Sequence, residues 1–312
     1  MPTYRLDLEY QGTRYRGWQV QENARSIAGE IRRAFEAAGF PIVDLGGSGR
    51  TDAGVHALRQ TAHLRLREPV EVGRLREAVN SRLPHDIHVL AAARAADSFH
   101  ARHDAVARSY LYQVARRRTG LAKTFVWWVR EPLDPGAMAA AAAGFVGRHD
   151  FLRFCERPRE QESTIVVVEG TEVAEAGGLI LVRLVASHFL WKMVRRVVGA
   201  LVRAGTGNLA PDALRRILAG EAGEDPECQP ARWTAPPSGL FLERVLYPGE
   251  PPLGPLLPAV PVGAEKAPPE NLFLGREDRI PGEGVRDSAS VPSRRAGAKP
   301  ARPARLRRPS GV

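Results

Sequence analysis

Cysteine is nearly absent: in 312 residues only Cys155 and Cys228 occur, far apart and in no CxxC or Cys/His spacing. That pattern excludes a disulfide framework and offers no zinc-ligand set, so both thiols read as reduced bystanders. No apolar run approaches the roughly 20 residues that cross a bilayer. The N-terminus, MPTYRLDLEY, is charged from Arg5 and lacks the apolar core of a signal peptide. A cytoplasmic protein is expected. Acidic charge is also in short supply, with 45 Lys and Arg against 35 Asp and Glu and a formal net charge of +10. Such a balance favours a polyanionic partner through release of condensed counterions.

The lysine of a phosphate-binding loop is missing too. The stretch Gly46 to His56, GGSGRTDAGVH, has the glycines of a nucleotide cradle, but Arg50 and Thr51 stand where that loop needs Lys followed by Ser or Thr. A dinucleotide-binding turn fails as well, because Asp52 takes the place of the third small residue and a strand pattern (LRQTAHLRL) follows instead of a helix. A nucleotide-cofactor enzyme is thereby disfavoured, and the charge pair Arg50 and Asp52 on a glycine loop calls for another explanation.

What is present is a globular body. Apolar residues make up 44% of the chain, enough for one large or two medium domains. Half of the net charge lies between Pro251 and Val312, where eleven Lys and Arg meet six Asp and Glu. The same segment holds twelve of the 25 prolines and no periodicity, so residues 249–312 read as a disordered basic tail, a solvated extension.

Before that tail, strand and helix signals alternate. Tyr4, Leu6, Leu8 and Tyr10 share one face of a half-buried strand. Ser26 caps a helix striped by Ile27, Ile31, Ala34, Phe35 and Ala38, with Gly39 at its stop. The strand PIVDL, the glycine loop, the strand LRQTAHLRL, a short helix through Leu75, Ala78 and Val79, and the strand DIHVLAA complete a first unit, residues 1–104. A second unit, residues 105–248, begins with RSYLYQV. It continues through a helix capped by Asp134, with Pro135 in its first turn and Gly147 beyond its end. The strands STIVVVEG and LILVRLVAS, a helix HFLWKMVRRVVGALVR from His188, a short helix from Pro211 and the strand LFLERVLY follow. The expected fold is α+β, two similar α/β subdomains forming a mixed, mainly antiparallel sheet with flanking helices and a cleft between them.

The helix from His188 is apolar nearly all round, which marks it as buried and makes Arg195 and Arg196 conspicuous. A buried guanidinium requires a carboxylate or phosphate. Arg195 shares a face with the small Gly199 and is read as the inward one, leaving Arg196 to reach solvent. Three histidine groups, at His85 and His88, His100 and His103, and His149, match no ligand spacing with a supporting shell, so no metal is expected. In FHARHD, Arg102, together with Arg108 and Arg50, is better suited to gripping phosphates. Tyr110 and Tyr112 share a strand face as core residues do, although one of them could stack on an exposed base.

GRTDAGVHA, FHARHDAVARSYLYQV, HDF at His149, FLWKMVRRVVG and TAPPSGLFL occur here in the order found in the tRNA pseudouridine synthase A family. The resemblance spans about residues 3 to 248. It implies the pseudouridine synthase fold and no cofactor. It further implies a homodimer acting on the anticodon arm of tRNA, around positions 38 to 40 of standard tRNA numbering. It maps Asp52 to the catalytic aspartate with Arg50 beside it, Tyr110 to the active-site tyrosine, Arg195 to the arginine that salt-bridges the aspartate, and Leu240 to the apolar lining of the uracil pocket. Whether Asp52 attacks the ribose carbon, attacks the uracil ring or removes a ribose proton stays open at this level. A non-catalytic RNA-binding or RNA-chaperone module on the same fold is the rival reading, and the intact set Asp52, Tyr110 and Arg195 argues against it.

Overall fold

A computed structural model describes residues 1–156, 163–221, 223 and 228–264. Ten strands among the described residues join in one sheet: β1 (Thr3–Tyr10), β2 (Ile42–Gly47), β3 (His56–Leu66), β4 (Ile87–Ala95), β5 (Ala107–Ala115), β6 (Trp127–Trp128), β7 (Gly147–Asp150), β8 (Ile165–Ala176), β9 (Leu179–Ala186) and β10 (Leu240–Leu246). The principal order is β4-β1-β3-β10-β5-β9-β8-β7, with β2 added to β3 and β6 to β5. All pairings are antiparallel except β3 with β10 and β5 with β6. The sheet does not break between residues 104 and 105, because β10 bonds both to β3 of the first unit and to β5 of the second.

The helices are α1 (Ile27–Ala37), α2 (Val72–Asn80), α3 (Pro135–Ala143), α4 (Met193–Gly205) and α5 (Pro211–Leu218). Ser26 caps α1 by accepting the Gly29 N–H, and Asp134 caps α3 by accepting those of Gly136 and Ala137. Two expected ends move. α3 stops at Gly144, and Gly147, at φ +110°, instead turns the chain into β7. α4 begins at Met193 rather than His188, because Lys192 has φ +62°, a left-handed conformation that cannot continue a right-handed helix.

The helices cover one sheet face over a large core containing Tyr4, Leu6, Leu8, Ile31, Phe35, Tyr112, Val114, Val182, Leu184 and Val197. Every residue of β5 is buried, so this strand is covered on both faces. Its opposite face carries Leu111, Gln113 and Ala115, where a second cluster gathers Leu179, Leu181, Phe241 and Val262, with Leu256, Ala259 and Val260 packed against it. The cover is therefore shared by Ala122, Phe125 and Val126 and by the segment after Pro248, which corrects the expected tail boundary. Gln113 Oε1 accepts the N–H groups of Ala259 and Val260 at 2.7 and 3.3 Å, and the Gly178 N–H donates to Val262 O at 2.8 Å. The Arg183 guanidinium, ion-paired to Glu243 and Glu172, also donates to the carbonyls of Gly254 and Pro255. Proline-rich composition suggested disorder here, but apolar side chains at 256, 260 and 262 and these backbone bonds fix the segment as a strap. The remainder of the expected tail, 265–312, lies outside the described residues.

Burial of a Val or Leu side chain contributes about 1.5–3 kcal/mol. Truncation after Pro248 is expected to remove about 3 kcal/mol or more of unfolding free energy by uncovering Leu111, Leu181 and Gln113. Truncation after Ala264 should leave the urea midpoint unchanged. Paired equilibrium unfolding curves check both.

Candidate active site

The glycine loop between β2 and β3 is held from several sides. The Ser48 N–H donates to Thr61 O at 2.8 Å, and buried Gln60 takes both polar groups of Gly49, its Nε2 donating to the carbonyl at 2.8 Å and its Oε1 accepting the N–H at 3.3 Å. Thr51 is buried; its carbonyl accepts the Trp18 N–H at 3.0 Å and its hydroxyl meets Tyr10 at 2.9 Å. A Cβ on Gly47 would lie 2.5 Å from the Trp18 ring, so only glycine lets that indole close over the loop. A chain that glycine makes intrinsically loose is thus fixed in one shape by its surroundings.

Asp52 leaves this frame toward α4, where Arg195 Nη1 lies 3.7 Å from its Oδ2, an ion-pair separation longer than a hydrogen bond. The two side chains are 23% and 15% exposed, so the pair is largely shielded yet open on one side. Arg195 is itself anchored: its Nε donates to Ala235 O at 2.6 Å, and the Ala235 N–H returns a bond to Arg195 O at 3.0 Å. One turn along α4, a Cβ on Gly199 would sit 1.7 Å from Trp233 O, so glycine is what allows the 233–235 segment to lie this close. The shared face of Arg195 and Gly199 therefore packs against the 233–235 segment, but Arg195 is the less buried of the two arginines, contrary to expectation. Arg196 does not escape to solvent: it is buried, donates to Cys155 O and lies 3.8 Å from Glu156.

Burial pushes the Asp52 carboxyl above its ordinary value of 3.8, opposed first by Arg195 and then by Lys192. Desolvation exceeds the two attractions, so the ionised carboxylate is held in an unfavourable setting. Tyr110 is pushed up as well, chiefly by burial and further by Tyr10 and Asp52, so its hydroxyl keeps its proton at neutral pH. The Tyr110 ring packs edge-on to half-exposed Phe189 at 4.9 Å, and its hydroxyl lies 3.6 Å from where a Cβ on Gly49 would stand.

The remaining expected residues divide. Arg50 and Arg102 are exposed. Arg108 is not a free phosphate grip in this structure: it is buried, and its guanidinium donates to the carbonyls of Arg102, Ala105, Ser187 and Ser48, tying the 102–105 turn to the loop. Buried Leu240 pairs with Tyr112, whereas Leu242 pairs with Tyr110 and lies beside Gly49. Sequence reasoning missed Leu242, Phe189, Lys192 and Gln60. The two-residue step from Leu240 to Leu242 along β10 could have flagged the first; nothing local marks the others. Among the described residues no three or more His, Cys, Asp or Glu side chains come together as a metal site. His100 Nδ1 accepts the N–H groups of Arg102 and His103, and His63 accepts from Ala101, so these rings brace the turn.

The profile of the tRNA pseudouridine synthase family matches residues 8–104 and 141–248. The chain belongs to that family. The tRNA pseudouridine synthase A of Rhodopseudomonas palustris (strain BisB18) is 40% identical over 250 residues, 79% of this chain and 100% of the relative. That of Mesorhizobium japonicum is 41% identical over 253 residues, 80% and 100% of the two chains, and that of Maricaulis maris 39% over 252, 80% and 99%. Members of the family are isomerases, and this chain is an isomerase of that kind. The family match ends at residue 248, short of the strap that covers β5.

A raised carboxyl in the folded state costs stability once ionised, and the cost grows as pH rises from the unfolded toward the folded pKa. Asp52→Asn is therefore expected to melt higher than the parent at neutral pH, with the gap closing as pH falls below 3.8, where both states are protonated. Thermal melts across pH check the sign.

Proposed function

We propose that the protein isomerises uridine to pseudouridine in the anticodon arm of tRNA, around positions 38 to 40, with Asp52 as the catalytic carboxylate. The observation that carries this reading is the half-shielded Asp52, set on a braced loop and faced by an anchored Arg195. The reaction breaks the bond from N1 of uracil to the ribose, turns the base and rejoins it through C5, with the C5 proton lost and one proton taken up at N1, so that substrate and product are isomers. No redox change or transferred group is involved, and no cofactor is needed for the balance. A carboxylate at the sugar promotes such bond breaking by charge stabilisation, covalent capture or proton removal, and each role requires it ionised. Arg195 opposes the desolvation that would otherwise keep Asp52 protonated.

The base must leave its stack before reaching Asp52, and exposed Arg50 is placed beside the loop to fill the gap. Tyr110, with Phe189 against its ring and Leu242 opposite it, supplies a flat apolar wall for the displaced uracil. Because its hydroxyl stays protonated, Tyr110 accepts the C5 proton only by passing its own proton to solvent in the same step. The family resemblance and the exposed apolar residues Val146, Ile165 and Val167 at the β7 edge of the sheet support a homodimer. Among the described residues no helix is long and apolar enough to cross a membrane, which is compatible with work on tRNA in the cytoplasm.

Asp52→Asn is expected to bind tRNA while product formation falls by at least about a thousandfold. A rate within a few-fold of the parent would reject Asp52 as the catalyst. Tyr110→Phe should fold and bind normally yet lose most single-turnover release of the C5 hydrogen from labelled uridine. Normal release by that variant would return Tyr110 to a packing role.

A further inference from the structure

Beside the Asp52 and Arg195 pair lies a second cluster of charge that the proposed chemistry does not use. Lys192, immediately before α4, is the only non-glycine residue with positive φ among the described residues, at +62°. Its ammonium pairs with Glu156 and lies 5.1 Å from the exposed Trp191 ring. The same Glu156 Oε2 is 3.8 Å from Arg196 Nη2, so one carboxylate serves two cations. Adding Asp52 and Arg195, three cations face two carboxylates among the described residues, an excess of one positive charge there.

The members of the cluster differ in freedom. Arg196 is buried, tied to Cys155 O, and its Nε has no hydrogen-bond partner among the described residues. Lys192 and Glu156 side chains are 30% and 40% exposed, and the lysine stem has rotatable bonds to spare. A buried guanidinium nitrogen left unpaired is costly, so a carboxylate that moved from Lys192 onto Arg196 would gain a better partner. The move requires another anion for Lys192. The nucleotide whose sugar sits at Asp52 carries a phosphodiester a few bonds away, and Lys192 already contributes to the field at Asp52.

We propose that Glu156 stands in for a backbone phosphate of the bound RNA: on binding, Lys192 exchanges Glu156 for a phosphodiester, and Glu156 passes to Arg196. Lys192 is thus a phosphate-binding residue and Glu156 a placeholder that keeps it in position. The inference rests on the proposed RNA substrate but not on the role of Asp52. A strained backbone is tolerated where the side chain is needed in one place, and Asn adopts this conformation more readily than Lys does.

The test uses the full chain and a tRNA transcript with uridine in the anticodon arm. Wild-type pseudouridine formation on that transcript is measured first; no product there would reject the enzymatic reading whatever Lys192 does. Binding is then titrated across salt in the Asp52→Asn background. Lys192→Asn should melt no lower than its parent, bind about tenfold more weakly, and show a salt slope reduced by about 0.7–0.9, one phosphate contact. Lys192→Arg should retain the parental slope. Glu156→Gln, which frees Lys192, should bind about threefold more tightly, and Lys192→Asn with Glu156→Gln should bind as weakly as Lys192→Asn alone. An unchanged slope in Lys192→Asn, or weaker binding by Glu156→Gln in a protein that melts normally, overturns the proposal.

Discussion

The structure is organised around two charges that must face each other while one side stays open. Asp52 and Arg195 come from a loop and a helix more than a hundred residues apart, and both are withdrawn from most of the solvent. In such a setting a carboxylate interacts more strongly with its surroundings than in water, and burial works against its charge. Neither side chain could hold its place by this attraction alone, because 3.7 Å is an ion-pair distance without a directed bond. Position comes from the backbone instead. Gln60, Trp18 and Tyr10 fix the loop, while the reciprocal bonds between Arg195 and Ala235 fix the helix.

The basic composition divides into cations that build the fold and cations that stand clear of it. Arg108 and Arg183 spend their donors on carbonyls or on the half-buried Glu243 and join segments distant in sequence. Arg50 and Arg102 stay in solvent, where their charge acts over distance and is screened by salt. Net charge alone cannot tell these groups apart. Burial and hydrogen bonding can.

Much of the architecture was legible because local signals agreed with one another. Ser26, Asp134 and the alternation of Tyr4, Leu6 and Leu8 each specify an element that tertiary packing did not override. Two errors have one cause, the reading of a segment without its neighbours. Apolar periodicity continued from His188 through Lys192, but the left-handed Lys192 keeps residues 188–192 out of the helix that begins at Met193. Prolines after 250 suggested disorder, yet the unsatisfied face of β5 needed a cover, and Gln113 binds it. At the site, Asp52 and Arg195 were recognisable from motif order and from a buried charge seeking its partner. Phe189, Leu242 and Lys192 join them only through pairing between strands and a turn in the chain, which no single window contains.

The placing of β10 has a consequence for how the molecule comes into being. The last strand lies between β3 and β5, so Leu242 reaches Tyr110 and the loop only when residues 240–246 are inserted into a sheet whose other members are already made. A chain emerging from the ribosome therefore carries the glycine loop and Tyr110 for most of its synthesis without the strand that sets Leu242 against them. The facing edges of β3 and β5 stay unjoined until nearly the whole fold has been delivered, and β10 then closes both at once.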